Sequence, residues 1–161
     1  MDEILENKRQ TEKLLKTALD IRISLANARG NIDSTEVAWT YFNLAELIYT
    51  NLNEKPTSNI MGINHYLDTA MRQSKIQNAE MYINNAIVIY QRLDQRFPGQ
   101  HMSSEARTTA LYGKLLMLCP ERHAEALEQF DKALTLYITL DNDNPGMYKQ
   151  EIHTLHILYH L

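Results

Sequence analysis

Three histidines near the carboxyl end are the residues best suited to metal chemistry. His153, His156 and His160 are spaced by three and four residues, which places them on one side of a helix with Glu151 close by. Imidazole nitrogens can bind zinc, but zinc needs three or four convergent ligands. One helix brings two histidines together more readily than three over two turns. We therefore expect neither a metal nor another cofactor.

The same segment has a second interpretation, in which its apolar residues pack and its histidines do not. Ile152, Leu155 and Leu158 would form the stripe that packs on the rest of the protein. The histidines would then face the solvent or a binding groove, where protonated imidazoles could contact anions. On this interpretation they are candidate partner-binding residues.

Catalytic residues are not indicated elsewhere. Cys119 directly precedes Pro120, and no neighbouring residue marks it as an activated nucleophile. The sequence lacks a glycine-rich phosphate loop, a GxSxG elbow, a His-Glu-x-x-His pair and a CxxC pair. We therefore expect a protein that is not an enzyme.

Composition limits the class of protein. The 161 residues suit one domain, residues 1–161, with 44% hydrophobic residues to form a core. A net charge of -4 disfavours nucleic-acid binding. A single cysteine favours a reducing compartment, and neither a signal peptide nor an apolar stretch of about 20 residues is present. We expect a cytoplasmic protein that does not bind membranes.

Three segments share one pattern, which predicts three equivalent helices. Each has an alanine followed by aliphatic residues one and three places later, and preceded by a large apolar residue three places earlier. Such a small residue lets another helix approach closely, while its large neighbour fills the adjacent space. The alanines are Ala18, Ala86 and Ala133, and the large residues are Leu15, Ile83 and Phe130.

A second type of helix alternates with the first. Residues 38–49 and 106–117 match each other, with Ala45 in one corresponding to Gly113 in the other. Gly30 and the Pro98-Gly99 pair predict the turns that precede these helices. The candidate amino-terminal caps are Asp33 or Ser34 for one helix and Ser103 or Ser104 for the other.

The spacing of the alanines predicts an insertion. Ala18 and Ala86 are 68 residues apart, whereas Ala86 and Ala133 are 47 apart. The extra 21 residues fall at 53–74, before a helix that we expect to begin near Lys75. Leu67, Ala70 and Met71 predict a short helix inside the insertion, and Tyr66, Leu67 and Met71 could fold over a groove as a lid or an internal ligand.

Residues 34–140 resemble a tetratricopeptide-repeat array. Phe130 and Ala133 follow Ala126, after a helix with Tyr112 and Gly113. The run from 43 to 49 and the long turns are more similar to the extended repeats of kinesin light chain. This resemblance implies an all-α fold of about six helices, in antiparallel pairs stacked as a short right-handed superhelix. HEAT-like and other arrays of helix pairs are the alternative.

The resemblance also implies an adaptor or scaffold that binds a protein or peptide. In this family the first helix of each pair lines a concave groove, and Asn43 matches an asparagine that hydrogen-bonds a bound peptide. Aromatic residues beside Arg107 and Lys114 favour an acidic peptide with an apolar anchor. Alternatively, these residues pack against the insertion or a neighbouring helix. The candidate residues on these helices are Trp39, Phe42, Asn43, Glu46, Tyr49, Arg107, Lys114 and Met117.

The last predicted helix, residues 151–161, has no partner helix after it. Its apolar residues, Ile152, Leu155, Leu158 and Leu161, would leave an exposed edge. Either the sequence is part of a longer protein, or this edge meets another copy of the chain. A self-associating structural subunit is therefore the second hypothesis. A metal-binding protein or an enzyme that uses the histidines is the third.

Overall fold

A computed structural model shows helices joined by turns, with no strand in residues 2–31, 33–53 and 64–160, which are the residues that it describes. The helices are α1 (Asp2–Ala28), α2 (Thr35–Asn53), α3 (Asn64–Arg96), α4 (Met102–Leu116), α5 (His123–Asp143) and α6 (Lys149–Tyr159). A 3₁₀ turn, Pro120–Arg122, directly precedes α5. The predicted all-α class with about six helices is confirmed.

Each helix packs against the next along the chain, and the largest contacts join α2 to α3 and α4 to α5. The α2 and α3 helices are antiparallel. Arg72, near the start of α3, donates a hydrogen bond of 3.1 Å to the carbonyl oxygen of Leu52 at the end of α2. At the other end, Asp33 pairs with Arg92 and Arg96, at 3.3 and 3.0 Å.

The predicted small residues lie where helices meet. Ala86 of α3 and Ala133 of α5 are fully buried. The alanines seven residues before them, Ala79 and Ala126, are also fully buried. Ala18 of α1 is only partly buried, because among the described helices α1 makes its main contact with α2 alone. The alanine pattern therefore predicts burial correctly for α3 and α5 and only partly for α1.

Two turns are built in the same way. Before α4, Asp94 accepts a hydrogen bond of 3.1 Å from the backbone N–H of His101. Before α6, Asp141 accepts one of 2.9 Å from the backbone N–H of Tyr148. Each turn contains a Pro-Gly pair whose glycine has positive φ, 81° in the first turn and 91° in the second. Only glycine adopts such values without strain, so the pair fixes the sharp change of direction.

The third helix is longer than predicted. It begins at Asn64, not near Lys75, and residues 64–74 form its first turns, not a separate short helix. No glycine or proline occurs between 64 and 96, so nothing in the sequence interrupts the helix. Residues 54–63, and the side chains of Tyr66 and Leu67 in the proposed lid, lie outside what the structure describes. Met71 is exposed.

The capping predictions hold for one helix and fail for the other. The backbone N–H of Val37 donates to Ser34 Oγ over 3.4 Å, which caps α2. Ser103 and Ser104 are not caps, because α4 already begins at Met102. The carboxylate of Asp94 binds the N–H of the residue just before that helix, so the turn ends earlier than the serines suggested.

None of the described helices is both long and apolar enough to cross a membrane.

Candidate functional site

A cleft of about 440 Å³ runs across α2, α4 and α6. These are the alternate helices that were expected to line a concave face. We call this cleft the groove. Its lining residues are Phe42 and Glu46 of α2, Arg107, Ala110, Leu111 and Lys114 of α4, Tyr137 of α5, and Gln150, Glu151, Thr154 and Leu155 of α6.

The floor of the groove is apolar. Phe42 is 4% exposed, and Leu111 and Leu155 are similarly buried. Each belongs to a hydrophobic core cluster of the protein, so the groove is underlain by packed side chains that hold its shape. An apolar side chain of a ligand would find its contacts on this floor.

One wall of the groove is held by Arg107. Its guanidinium carbon lies 4.7 Å from the centre of the Phe42 ring, and an Nη atom lies 3.4 Å from an Oε atom of Glu46. The cation–π contact and the ion pair together orient a side chain that is itself 63% exposed. Arg107 therefore joins α4 to α2 across the groove and is already engaged by protein groups.

Among the described residues, Tyr137 is the one lining residue from the second type of helix. Burial raises the pKa of its phenol to about 12, because the charged phenolate would lose its hydration there. The ring is also paired with Tyr148, with ring centres 5.5 Å apart. The ring of Tyr137 is thus held in place by burial and by this contact.

The charges in the groove are balanced. Arg107 and Lys114 supply two positive charges, and Glu46 and Glu151 supply two negative ones. The prediction of an acidic peptide was based on Arg107 and Lys114 and did not take the two glutamates into account. Because Arg107 is paired with Glu46, Lys114 is the lining cation best placed to bind a carboxylate of a ligand. Glu151 could bind a positively charged group of the same ligand.

Four predicted residues do not line the groove. Trp39 is half exposed on α2, one turn before Phe42 and outside the lining, and the guanidinium carbon of Arg22 on α1 lies 5.6 Å from its ring centre. Asn43 is partly buried. Tyr49 and Met117 pack against core clusters.

The predicted exposed aromatic patch is not formed. Phe42 is buried and Tyr49 is partly buried in the same core cluster, because α2 is covered there by α3 and α4. Trp39 alone of the three is largely exposed. For Phe42, Tyr49 and Met117 the alternative interpretation, that they pack against neighbouring helices, describes the structure better.

The three histidines also lie outside the groove lining, and all are exposed. At about 100° per residue, Glu151 and Thr154 lie on one side of buried Leu155, and His156 lies on the other. The sequence analysis named the histidine face of α6 and did not name Gln150 and Thr154, which line the groove together with Glu151. Tyr137 was missed because it belongs to a helix of the second type.

The apolar stripe of α6 faces inward. Leu155 is buried, and Ile152 and Leu158 pack against the same core cluster as residues of α5. The predicted exposed edge is therefore not present at these three residues, since α6 folds back on α5 and covers them. Leu161, the fourth residue of that edge, lies outside the described residues.

Metal ligands do not converge in the part of the chain that the structure describes: no three His, Cys, Asp or Glu side chains there are close enough to hold an ion. Cys119 is partly buried. Burial raises the pKa of its thiol, so the thiol stays protonated and weakly nucleophilic at neutral pH.

The groove combines an apolar floor with hydrogen-bonding and charged walls. Comparison with known proteins gives no relative from which a ligand could be inferred. No protein-family model matches the chain, no curated protein matches it, and no solved structure matches it.

Proposed function

We propose that this chain is a tetratricopeptide-like helical repeat module, an adaptor or scaffold that binds a segment of another protein in the groove. The observation that carries the proposal is the composition of the groove, which draws its lining from three alternate helices and places polar walls around an apolar floor. Such clefts suit a peptide whose backbone and side chains are both contacted.

Repetition along the chain supports the array. Tyr90 stacks with His101, with ring centres 6.3 Å apart, and Tyr137 pairs with Tyr148 at 5.5 Å. Both members of the second pair lie 47 residues after those of the first. Together with the matched aspartates and glycines of the two turns, this register favours a unit of 47 residues. Stacking such units with a constant rotation would give a superhelix, which would be right-handed in the tetratricopeptide-like array that we propose.

The ligand that fits the groove best is an extended peptide with one apolar anchor and one carboxylate. The apolar side chain would lie on Leu111 and Leu155, beside the Phe42 ring that Arg107 covers, and the carboxylate would pair with Lys114. Because Glu46 and Glu151 oppose a strongly acidic ligand, we now favour a mixed-charge segment over a purely acidic one. A reducing cytoplasm suits the single cysteine of such a module.

A displayed library of random peptides, selected on the purified chain, tests this function. Selected peptides should bind Lys114→Glu at least about tenfold more weakly, because a charge-assisted pair is replaced by a repulsive one. The matched control is Lys75→Glu, which reverses an exposed charge on α3 outside the groove. Equal loss in both variants, or no loss in Lys114→Glu, would contradict the proposal.

A further inference from the structure

An apolar stripe runs along the exposed side of α1. Leu14, Ile21 and Leu25 are 69%, 55% and 49% exposed, and Ala18 lies between the first two. Spacings of four, three and four residues place all four side chains in one line along the helix. This is the spacing of the apolar seam along which two helices pair.

The corresponding stripes of α3 and α5 are covered. In α3, Ile89 and Leu93 are buried in the core cluster shared with α2. In α5, Leu136 and Leu140 pack against the core cluster shared with α4. The stripe of α1 thus repeats a surface that, elsewhere in the chain, receives an antiparallel helix.

A second residue points to the same missing neighbour. Trp39 precedes Arg107 by 68 residues, the distance that separates Ala18 from Ala86. Arg107 reaches back from α4 to contact Phe42 on the preceding helix of its type. Trp39 is 51% exposed and lies beside Arg22 of α1, so a helix that covered α1 would also meet this indole.

The other end of the array does not supply that helix. In the register of 47 residues, α6 carries His153 and His160 where α4 carries Ala106 and Gly113. Ala106 and Gly113 are buried, and a small residue there admits the next helix. Histidines at these positions do not allow the same close approach, so stacking α6 of one copy on α1 of another is disfavoured.

We propose that two copies of this chain pair through α1, with the two helices antiparallel. In one register of such a pair, the spacing of four, three and four residues reads the same in both directions, so each residue of the stripe faces a stripe residue of the second copy. The facing pairs in that register are Ala18 with Ile21, Leu14 with Leu25, and Thr11 with Ala28 of the second copy. The polar residues flanking this seam include Thr17 and Ser24, so like charges do not meet along that side.

Sedimentation velocity on the full chain tests the pairing. The native protein should sediment as a dimer, and Ile21→Asp should sediment as a monomer, because a carboxylate at the seam would be desolvated. Ile138→Asp makes the same change at an exposed isoleucine of α5 and should remain dimeric. Circular dichroism should show native helix content in both variants. A native monomer at the highest soluble concentration, or a dimer that survives Ile21→Asp, would overturn the proposal.

Thiol cross-linking tests the orientation. With Cys119→Ser as background, chains carrying Leu14→Cys are mixed with chains carrying Leu25→Cys and treated with a short bis-maleimide. Antiparallel pairing predicts cross-linked dimers in the mixture and few in either sample alone. Efficient cross-linking of Leu14→Cys by itself would show parallel helices and overturn this arrangement.

Discussion

The ring of Phe130 occupies the space that a side chain at Gly113 would need. A Cβ added to that glycine would stand 2.4 Å from Cε1 of the ring. Phe130 is itself almost fully buried, so the ring has little room to move away. This contact between α4 and α5 shows directly why a small residue lies inside an apolar stripe.

Gly113→Ala should therefore destabilise the protein by about 1–3 kcal/mol, through overpacking against Phe130. Without the ring, the same change would stabilise a helix by roughly 1 kcal/mol, because alanine has a higher helix propensity than glycine. The sign of the measured change therefore shows whether overpacking or helix propensity dominates. Urea unfolding followed by circular dichroism measures it. In a Phe130→Leu background the penalty should shrink. A stabilised Gly113→Ala variant would contradict this account of the contact.

Asp33→Ala should lower the free energy of unfolding by about 1–2 kcal/mol, because a buried carboxylate is lost and two arginines lose their partner. The value is modest because both arginines are 56% exposed. Glu12→Ala removes an exposed ion pair with Lys16 on α1 and should change the free energy by less than about 0.5 kcal/mol. Equal effects from the two variants would count against a structural role for Asp33.

The stability of the protein should depend on pH at low pH through the titration of the Asp141 carboxylate. Hydrogen bonds from the backbone N–H groups of Tyr148 and Gly146 favour the carboxylate and lower its pKa from the usual 3.8. A lowered pKa adds stability above the unfolded value, and this is lost as the pH falls through the folded value. The gap in melting temperature between the native chain and Asp141→Ala should hold from pH 7 to roughly pH 5 and narrow as the pH falls below about 4. Asp131→Ala, an exposed change on the same helix, is the control; a gap independent of pH would refute this role.

The helix order and the contact positions follow from the sequence because they rest on local spacing. Apolar residues three and four places apart predict the helices, and alanines with a large residue three places earlier predict where helices meet. Even the two matched turns were detectable, since Asp94 and Asp141 share a Tyr-x-x-x-Asp-x-x-x-Pro-Gly pattern 47 residues apart. That signal lies in the turns, outside the helical pattern that guided the predictions.

The groove was harder to predict because it depends on how helices rotate against one another. The position of Phe42 in the sequence fits either an exposed groove residue or a buried core residue. The structure shows that it is buried, with the Arg107 guanidinium over its ring. For α6, the stripe centred on Leu155 leaves two polar faces, one with Glu151 and one with His156. Nothing local distinguishes the face that turns toward α4.

Zinc should leave the stability of the protein unchanged. His153, His156 and His160 are exposed, and within the described residues no three ligands converge on one point. Tight binding to the folded state would raise the melting temperature in proportion to the logarithm of the zinc concentration. Scanning fluorimetry with zinc and with a chelator should give the same midpoint. A zinc-dependent rise that disappears in His156→Ala would support the metal hypothesis instead.

The most direct test of the proposed groove is to map the binding site of a selected peptide by amide chemical shifts in the ¹⁵N-labelled chain. Binding in the groove predicts the largest changes at Glu46, Leu111, Lys114 and Thr154, on α2, α4 and α6. Changes concentrated on the outer sides of α3 and α5, or confined to α1, would contradict the claim that the groove is the binding site.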